Sequence, residues 1–575
     1  MLTPDRKRPK RSRIALPGLI CCLVLLAAQT ACAQRQPGVR VTNHSGGPLL
    51  PEQAAYDVTF YELALRVEPD ARRIDGTLTV QARVVHPLIW FVLDLDTVLT
   101  VRRIEEQVAG RWVPRTFEHR PDGRIWTHLA HTRQPGQQLV LRVHYGGVPR
   151  EAPYPPWIGG FTWARTADGR PWIATSNQGE GADLWWPCKD HPSDEPDSMA
   201  LHITVPESLV VASNGRLRRV ERHADGTRTY HWFVSTPINN YGVALNIAPY
   251  RTVDTTYVSV AGDTIPVTFW VLPEREADAR RMLPEFLDHL AFYERLLGPY
   301  PFRADKYGIA HTPFLGMEHQ TIIAYGSDFS DQPYGYDWLH HHELGHEWWG
   351  NLVTAYDWKD FWLHEGFCTY MQALYAEERF GPEAYRAELM RYRSAIRNRR
   401  PIAPRTSKTT TEMYFADPAT GQTDNDIYYK GAWVLHTLRY LIGDEAFFRA
   451  LRRMAYPDPA LERVADGRQC RFATTDDFAT LVEEITGQEL DWFFEVYVRR
   501  AELPRLVVTR EPDRLVLRWE TPDNLPFPMP VEVQIGDTRR RIPMPGGEAV
   551  VPLGELEAEP LIDPDLRILR DEARR

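Results

Sequence analysis

The sequence predicts a multidomain α+β protein in which a β-sheet domain, a mainly helical domain and a small β-sandwich follow one another. Three changes of pattern predict it. Residues 55 to 250 alternate apolar and polar positions, apolar residues recur at helical spacing from about 274 to 497, and alternation returns after Pro504. With 575 residues, 43% of them hydrophobic, the chain is long enough to bury several domain cores.

The first 33 residues predict a cleaved signal peptide. The basic stretch RKRPKRSR precedes the apolar run LPGLICCLVLLAA, and the small residues ACA stand before Gln34. The apolar run is shorter than the roughly 20 residues that span a bilayer, so no stable membrane span is expected in the mature protein. We expect export, periplasmic or secreted, with a flexible N-terminus over residues 34 to 50. A lipid anchor at Cys32 stays open, although Gln29 stands where lipoprotein signals usually carry an aliphatic residue.

Charge and cysteine content argue against two other classes of protein. The net charge of -10 is spread along the chain without a basic stripe, which argues against nucleic acid as a partner. Three of the six cysteines lie in the leader, and the remaining Cys188, Cys368 and Cys470 are an odd number that does not suit a disulfide framework. A large hydrophobic core must therefore hold the domains together.

The predicted elements divide the mature chain into three domains. In residues 51 to 250, YELALRVEP, IDGTLTVQARVV and QLVLRVHYGG read as strands separated by Pro, Gly and Asp turns. In residues 251 to 500 helical patterns dominate, including DWLHHHELGHEWWGNLV, HEGFCTYMQALYAEERFG and YYKGAWVLHTLRYLIG. Residues 501 to 575 carry short alternating strands such as RLVVTREPDRLVLRWE, which predict a small C-terminal β-sandwich.

The stretch WLHHHELGHEWWG carries four histidines, which their helical positions separate. His342 and His346 are four residues apart, so about 400° of rotation puts both imidazoles on one helix face, toward a common zinc ion. His340 and His341 lie about 200° and 100° from His342 and are predicted not to be ligands. Glu343 stands beside the ion without ligating it, which is the place for a general base.

A catalytic zinc usually takes three protein ligands and leaves one position for water. Glu365, in FWLHEGF, follows His346 by nineteen residues and opens the next helical pattern. Cys368 is a nearby soft ligand type, but we interpret it as a small buried packing residue. The sequence therefore predicts one Zn²⁺ per chain, bound by His342, His346 and Glu365.

These motifs resemble the gluzincin aminopeptidases of peptidase family M1, related to aminopeptidase N and leukotriene A4 hydrolase. The family shares H-E-x-x-H, eighteen intervening residues and Glu, and HEWWGNLVT, WKDFWLHEGF, GMEHQ, YYKG and NQGEGADLWWPCKD extend the resemblance over about residues 50 to 500. The resemblance implies a β-saddle N-terminal domain, a thermolysin-like catalytic domain and a β-sandwich. It also implies a zinc aminopeptidase with peptides as substrates.

The resemblance further implies roles in substrate binding. Glu318 in GMEHQ matches the glutamate that receives the free α-amine. Gln178 in SNQGE matches an amide whose carbonyl oxygen accepts a second ammonium proton, with Glu180 as an alternative. Tyr428 in IYYKG matches the tyrosine that donates to the oxyanion, and Tyr429 takes that role if the alignment is shifted by one residue.

Three residues depart from the family's pattern. His319 and His364 stand where relatives usually carry asparagine, beside Glu318 and Glu365 respectively. A cationic His319 would compete with the substrate ammonium for Glu318, which leaves the strength of N-terminal recognition open. Gln372 replaces a frequent glutamate and is expected to alter the hydrogen bonding of the zinc ligands.

The first hypothesis is an exported zinc aminopeptidase. A zinc hydrolase of the same fold, acting as an endopeptidase or an epoxide hydrolase, is the alternative within enzymes. A secreted binding module with a structural zinc is the alternative outside them. An open coordination position beside a base argues against the binding module, because structural zinc sites are normally closed. The sequence does not indicate an oligomeric state.

Overall fold

The computed structural model describes residues 45–330, 333–417, 422–553 and 559–571. The predicted signal peptide and residues 34 to 44 lie outside this range. The helices in the described part of the chain are α1 (Pro51–Ala54), α2 (Glu276–Leu297), α3 (Trp338–Gly345), α4 (Trp362–Phe380), α5 (Pro382–Ala395), α6 (Thr410–Tyr414), α7 (Asp426–Ile442), α8 (Asp444–Ala455), α9 (Thr475–Thr486) and α10 (Asp491–Tyr497).

The strands fall into three groups along the chain. The first group is β1 (Tyr56–Glu68), β2 (Arg73–Val84), β3 (Leu88–Asp94), β4 (Thr100–Val108), β5 (Arg111–Arg115), β6 (Phe117–His119), β7 (Arg124–Arg133), β8 (Gln138–Gly147), β9 (Gly160–Arg165), β10 (Pro171–Ser176), β11 (Ser198–Pro206), β12 (Val210–Ser213), β13 (Arg216–Arg222), β14 (Thr227–Val234) and β15 (Leu245–Ala248). The second is β16 (Arg251–Val258), β17 (Thr264–Val271), β18 (Tyr307–His311), β19 (Gly316–Met317), β20 (Ile323–Tyr325), β21 (Val353–Ala355), β22 (Phe415–Asp417), β23 (Gln422–Thr423) and β24 (Arg471–Ala473). The third is β25 (Arg505–Arg510), β26 (Arg514–Glu520), β27 (Val531–Ile535), β28 (Thr538–Ile542), β29 (Glu548–Pro552) and β30 (Leu561–Ile562).

The N-terminal domain is built on an eight-stranded sheet with the order β13-β14-β11-β1-β2-β8-β4-β5. Strand β1 runs parallel to β11 and antiparallel to β2. The predicted alternation is visible in β1, where Leu63, Leu65 and Val67 are buried and the residues between them are exposed. Smaller sheets, β12-β15-β10-β9 and β3-β7-β6, complete the domain. One face of the large sheet therefore covers the core and the other faces solvent.

The middle of the chain combines helices with a five-stranded sheet of order β16-β17-β18-β20-β19. Helix α3 begins after Asp337, whose side chain accepts a hydrogen bond from His340 N at 3.0 Å and so caps the first turn. Helices α4 and α7 come closest at Gly366 and Gly431, where a Cβ on Gly366 would lie 2.9 Å from the Gly431 Cα. Only glycine permits this approach, which brings the N-terminal turns of the two helices together.

The C-terminal segment forms two three-stranded sheets, β25-β26-β29 and β28-β27-β30. Leu515, Leu517, Val531 and Val533 of these sheets are buried in the same core as the helical domain. The predicted multidomain α+β class, with strands, then helices, then strands, is confirmed.

The cysteines, the N-terminal segment and the helices can be compared with the remaining sequence-based expectations. Cys188, Cys368 and Cys470 are free thiols. Ser45, in the segment expected to be flexible, is buried, and its Oγ accepts a hydrogen bond from Trp358 Nε1 at 3.2 Å. Among the residues with described structure, no helix combines the length and the apolar character that a membrane crossing requires.

Candidate active site

His342, His346 and Glu365 meet in one buried cluster. Glu365 Oε2 lies 3.3 Å from His342 Nε2 and 3.4 Å from His346 Nε2, and the two Nε2 atoms are 3.3 Å apart. A tetrahedral ion with bonds of about 2.0–2.1 Å would space its ligands by roughly 3.3–3.4 Å. The triangle of donor atoms therefore fits a single Zn²⁺.

Hydrogen bonds to the far side of each ring leave these donor atoms free for a metal. His346 Nδ1 lies 2.8 Å from the Trp349 carbonyl, so the Nδ1–H donates there and Nε2 keeps its lone pair. His342 Nδ1 lies 3.3 Å from Gln372 Oε1 and is held in the same tautomer. Gln372 thus supplies the acceptor that orients His342.

Three carboxyl groups share the cleft, and burial disfavours the ionised form of each. Burial raises the pKa of Glu343 well above its ordinary value and that of Glu318 to about 7. Burial also acts to raise the pKa of Glu365, but contact with His346 and His342 holds it well below its ordinary range. Glu365 Oε2 is buried without a hydrogen-bond partner in the described structure. A divalent cation at the triad would satisfy both the orphaned oxygen and the charge.

Glu343 follows His342 by one helical step of about 100° on α3, and it lies outside the triangle of candidate ligands. Its carboxylate belongs to a second cluster, in which donor atoms of Glu318, Glu343 and His346 all lie within 4.8 Å of one another. A Cβ on Gly316 would lie 2.5 Å from Glu343 Oε1, so a larger residue at this position of β19 would displace the carboxylate. Strand β19 therefore forms the wall of the cleft next to Glu343.

Glu318 and Gln178 come together from two domains. They are 140 residues apart in sequence, and Gln178 Nε2 donates a hydrogen bond to Glu318 Oε1. Gln178 Nε2 also lies 3.3 Å from Glu365 Oε1. Glu180, the alternative to Gln178, is engaged elsewhere, because its oxygens accept from Arg150 at 2.8 Å and from Gly159 N at 2.9 Å.

The structure separates Tyr428 from Tyr429. The Tyr428 hydroxyl donates to Glu365 Oε1 at 2.9 Å, which puts it beside the metal-binding triad. The Tyr429 ring stacks instead on Tyr392, with ring centroids 5.6 Å apart. Tyr428 can therefore reach a reacting carbonyl group, and the alternative assignment to Tyr429 is not supported by its position.

Tyr414, at the end of α6, is a site residue that the sequence analysis missed. Its hydroxyl donates to Gln178 Oε1 at 2.5 Å and lies 3.0 Å from the Tyr428 hydroxyl and 3.2 Å from Glu365 Oε1. The Gln178 carbonyl oxygen, expected to accept from an ammonium group, thus already accepts one hydrogen bond and keeps a second lone pair. No motif surrounds Tyr414 in TEMYFADP, so only the fold reveals its position.

His340 and His341 are buried on the far side of α3. His340 Nδ1 lies 2.9 Å from His289 Nδ1, and its Nε2 contacts the Tyr307 hydroxyl. The Tyr293 hydroxyl donates to the His341 carbonyl at 3.0 Å. Both imidazoles pack within the core and face away from the triad, in the directions their helical positions predict.

The structure argues against the competition that a cationic His319 would cause. This side chain is fully buried, burial lowers its pKa to about 3, and neither ring nitrogen has a hydrogen-bond partner among the described residues. His364 is also neutral, because burial lowers its pKa to about 3 and its Nε2 accepts from Ala355 N at 2.8 Å. Neither histidine places positive charge beside Glu318 or Glu365.

Comparison with known proteins agrees with this geometry. Residues 57–241 match the family model described as the Peptidase M1 N-terminal domain, and residues 336–497 match the Peptidase family M1 domain, together more than half of the chain. A crystal structure of an M1 zinc metallopeptidase from Deinococcus radiodurans matches with a TM-score of 0.63 and 25% identity, over 81% of this chain and 98% of that one. A mutant of that enzyme bound to a Tyr-Ser-Ala substrate matches with a TM-score of 0.62.

Curated relatives are longer than this chain. The mitochondrial aminopeptidase 2 of Saccharomyces cerevisiae is 22% identical over 84% of this chain and 50% of its own length. Human endoplasmic reticulum aminopeptidase 1 is 26% identical over 54% of this chain and 34% of its own. The chain spans about half, or less, of the length of the curated relatives it matches.

Proposed function

The chain belongs to peptidase family M1, and on that premise we propose that it is a zinc-dependent aminopeptidase that hydrolyses N-terminal residues from peptides. One observation carries the proposal. The metal-binding triad, a candidate base and a candidate ammonium-binding carboxylate share a single buried cleft, and donor atoms of Glu318, Glu343 and His346 lie within 4.8 Å of one another. The group that would bind the substrate amine is thus beside the group that would activate water.

His342, His346 and Glu365 would hold the zinc ion, which when bound supplies a Lewis acid for the scissile carbonyl and lowers the pKa of water. Glu343 takes a proton from the attacking water and returns it to the leaving amine nitrogen. Burial raises the pKa of Glu343 well above its ordinary value, which makes the carboxylate a stronger proton acceptor. Water adds directly to the carbonyl carbon, so no bond to the enzyme is formed.

Tyr428 and Glu318 act on opposite ends of the N-terminal residue of the substrate. Tyr428 is hydrogen-bonded to Glu365 at 2.9 Å, and by turning its hydroxyl it donates to the carbonyl oxygen as negative charge develops there. Glu318, which is 3% exposed, pairs with the α-ammonium group in a cleft from which water is largely excluded. This pairing sets the distance from the free N-terminus to the bond that is cut.

Aminoacyl reporter substrates and their N-acetylated forms test the activity, each with and without a chelator. We expect turnover of the free-amine substrates, its loss on chelation and its recovery with zinc. The Glu343→Gln variant should bind zinc but turn over at least about 100-fold more slowly. Equal turnover of N-acetylated peptides would instead indicate an endopeptidase. Absence of any chelator-sensitive turnover would favour the binding module.

Export is part of the proposal and rests on the N-terminal sequence alone. A basic region, an apolar run and ACA precede Gln34. N-terminal sequencing and mass measurement of the protein secreted by its natural host should find Gln34 as the first residue. A lipidated Cys32 would replace cleavage after Ala33, and an intact leader on intracellular protein would contradict export.

A further inference from the structure

Two histidines meet on the outer face of the N-terminal sheet, away from the catalytic cleft. His202 on β11 and His231 on β14 are direct cross-strand partners, and their Nδ1 atoms are 2.8 Å apart. Their side chains are 27% and 14% exposed, at a shallow depression of about 420 Å³. We propose that this pair binds a divalent transition-metal ion of tetragonal geometry, such as Cu²⁺ or Ni²⁺.

The short separation of the two Nδ1 atoms requires either one proton, carried by one ring and accepted by the other, or one metal ion between them. Two lone pairs at 2.8 Å would repel each other, and two N–H groups would bring their hydrogens into collision. One shared proton removes the conflict, and so does one metal ion bound by both lone pairs. Imidazole nitrogen is a preferred ligand of Cu²⁺ and Ni²⁺.

The distance also indicates which coordination geometry fits. Adjacent nitrogen ligands of a tetragonal ion, about 90° apart with bonds of roughly 2.0 Å, are separated by about 2.8 Å. The separation of His202 Nδ1 and His231 Nδ1 matches this value. The Nε2 atoms of His342 and His346, 3.3 Å apart, match tetrahedral zinc instead. The His202–His231 separation therefore fits a tetragonal ion, and the His342–His346 separation fits a tetrahedral one.

Carboxylates lie behind both rings. His202 Nε2 is 3.2 Å from Glu62 Oε1, and His231 Nε2 is 3.4 Å from Glu221 Oε2. A carboxylate on the far nitrogen fixes the ring orientation and strengthens the ring as a metal ligand. The hydrogen bond to Glu62 leaves the His202 Nδ1 lone pair directed at His231.

Arg218 and Arg219 line the depression, and both are engaged by other groups. Arg219 is paired with Glu221 at 2.8 Å, and the Arg218 guanidinium lies over the Phe233 ring, 5.2 Å from its centroid. These arginines are thereby engaged by other groups at the edge of the depression. Strand β11 lies between β1 and β14 inside the sheet, so both ligands project from rigid backbone. The depression opens to solvent, which supplies the remaining ligands as water.

Calorimetric titration of the full chain, with its catalytic site loaded with zinc and excess zinc removed, tests the proposal. Ni²⁺ should bind with one further equivalent, and Cu²⁺ should give an electron paramagnetic resonance spectrum of a tetragonal site with two nitrogen ligands. His202→Gln and His231→Gln should each abolish this equivalent. Glu62→Gln should weaken it by about 10- to 100-fold. Peptide turnover should not change in any of these variants.

His144→Gln is the matched control. His144 lies on β8 of the same sheet, with Nε2 3.0 Å from Glu105 and Nδ1 3.1 Å from Thr77 Oγ1, so it has the carboxylate but no second imidazole. It should bind Ni²⁺ like the unmodified chain. The proposal is overturned if the unmodified chain binds no further equivalent, if both histidine variants with native melting curves keep it, or if His144→Gln loses it equally.

Discussion

Replacement of Glu318 by glutamine tests whether this carboxylate recognises the free N-terminus. The change keeps the size of the side chain and its hydrogen bond with Gln178 but removes the negative charge from a residue that is 3% exposed. The substrate ammonium group would then enter a desolvated site without its partner. Binding in the ground state and in the transition state should both weaken.

The magnitude follows from the burial of the site. Opposite unit charges about 3 Å apart attract by roughly 5 kcal/mol at an effective dielectric constant of about 20. Removing one member of a buried charge pair typically costs about 2–5 kcal/mol. At about 1.4 kcal/mol per tenfold change, kcat/KM for Glu318→Gln should fall by about 30- to 4,000-fold.

The assay is kcat/KM for leucine p-nitroanilide across pH 5.5 to 9, in the unmodified protein and the variant. Burial raises the pKa of Glu318 to about 7, and only the ionised carboxylate attracts the ammonium group. Activity of the unmodified protein should therefore rise as pH increases through about 7. The part of that rise that depends on ionisation of Glu318 should be lost in Glu318→Gln.

The control is Glu195→Gln, which removes a carboxylate outside the cleft that accepts from Thr354 Oγ1 at 2.7 Å. Its kcat/KM should stay close to that of the unmodified protein. The argument for Glu318 fails if Glu318→Gln loses less than about tenfold in kcat/KM. It fails equally if the variant still prefers free over N-acetylated substrates by the original factor.

Three further predictions follow from the same contacts. Tyr428→Phe should lower kcat by about 10²- to 10³-fold without loss of zinc, because the Tyr428 hydroxyl contacts Glu365 beside the metal-binding triad. Tyr429→Phe should stay near the unmodified rate, because the Tyr429 ring stacks on Tyr392. Equal rates for the two variants would contradict this assignment. Glu365→Gln should lower the zinc content measured after dialysis, and full retention of zinc would remove Glu365 from the ligand set. Burial raises the pKa of Glu195 to about 8, so the folded state keeps a proton there that the unfolded state has lost. Stability should therefore fall by up to about 4 kcal/mol as pH rises from 5 to 8, and urea unfolding should show a smaller fall in Glu195→Gln.

The fold class and the metal-binding histidines were accessible from the sequence because both depend on local geometry. Apolar residues that recur every two or every 3.6 positions indicate which face of a strand or of a helix is apolar. The spacing of His342 and His346 determines their common face, and it also separates His340 and His341 from it. Glu343 follows from the same helix, since its position relative to His342 is determined by one step of rotation.

Other features of the site required the tertiary structure because they depend on contacts between distant parts of the chain. Gln178 meets Glu318 across 140 residues, and Tyr414 reaches both Gln178 and Glu365 from a short helix with no motif. The choice of Tyr428 over Tyr429 depends on the close approach of α4 and α7 at Gly366 and Gly431.

The charge of His319 likewise could not be predicted from the sequence. A histidine next to a functional glutamate can be cationic or neutral, and the sequence does not show how far the imidazole ring is exposed to water. Complete burial favours the neutral form of His319, because desolvation penalises the charged form. The sequence by itself determined which residues share a helix face and which chemistry they carry. The packing of separate segments decided which of them meet, how far each is removed from water, and therefore which charges the cleft presents.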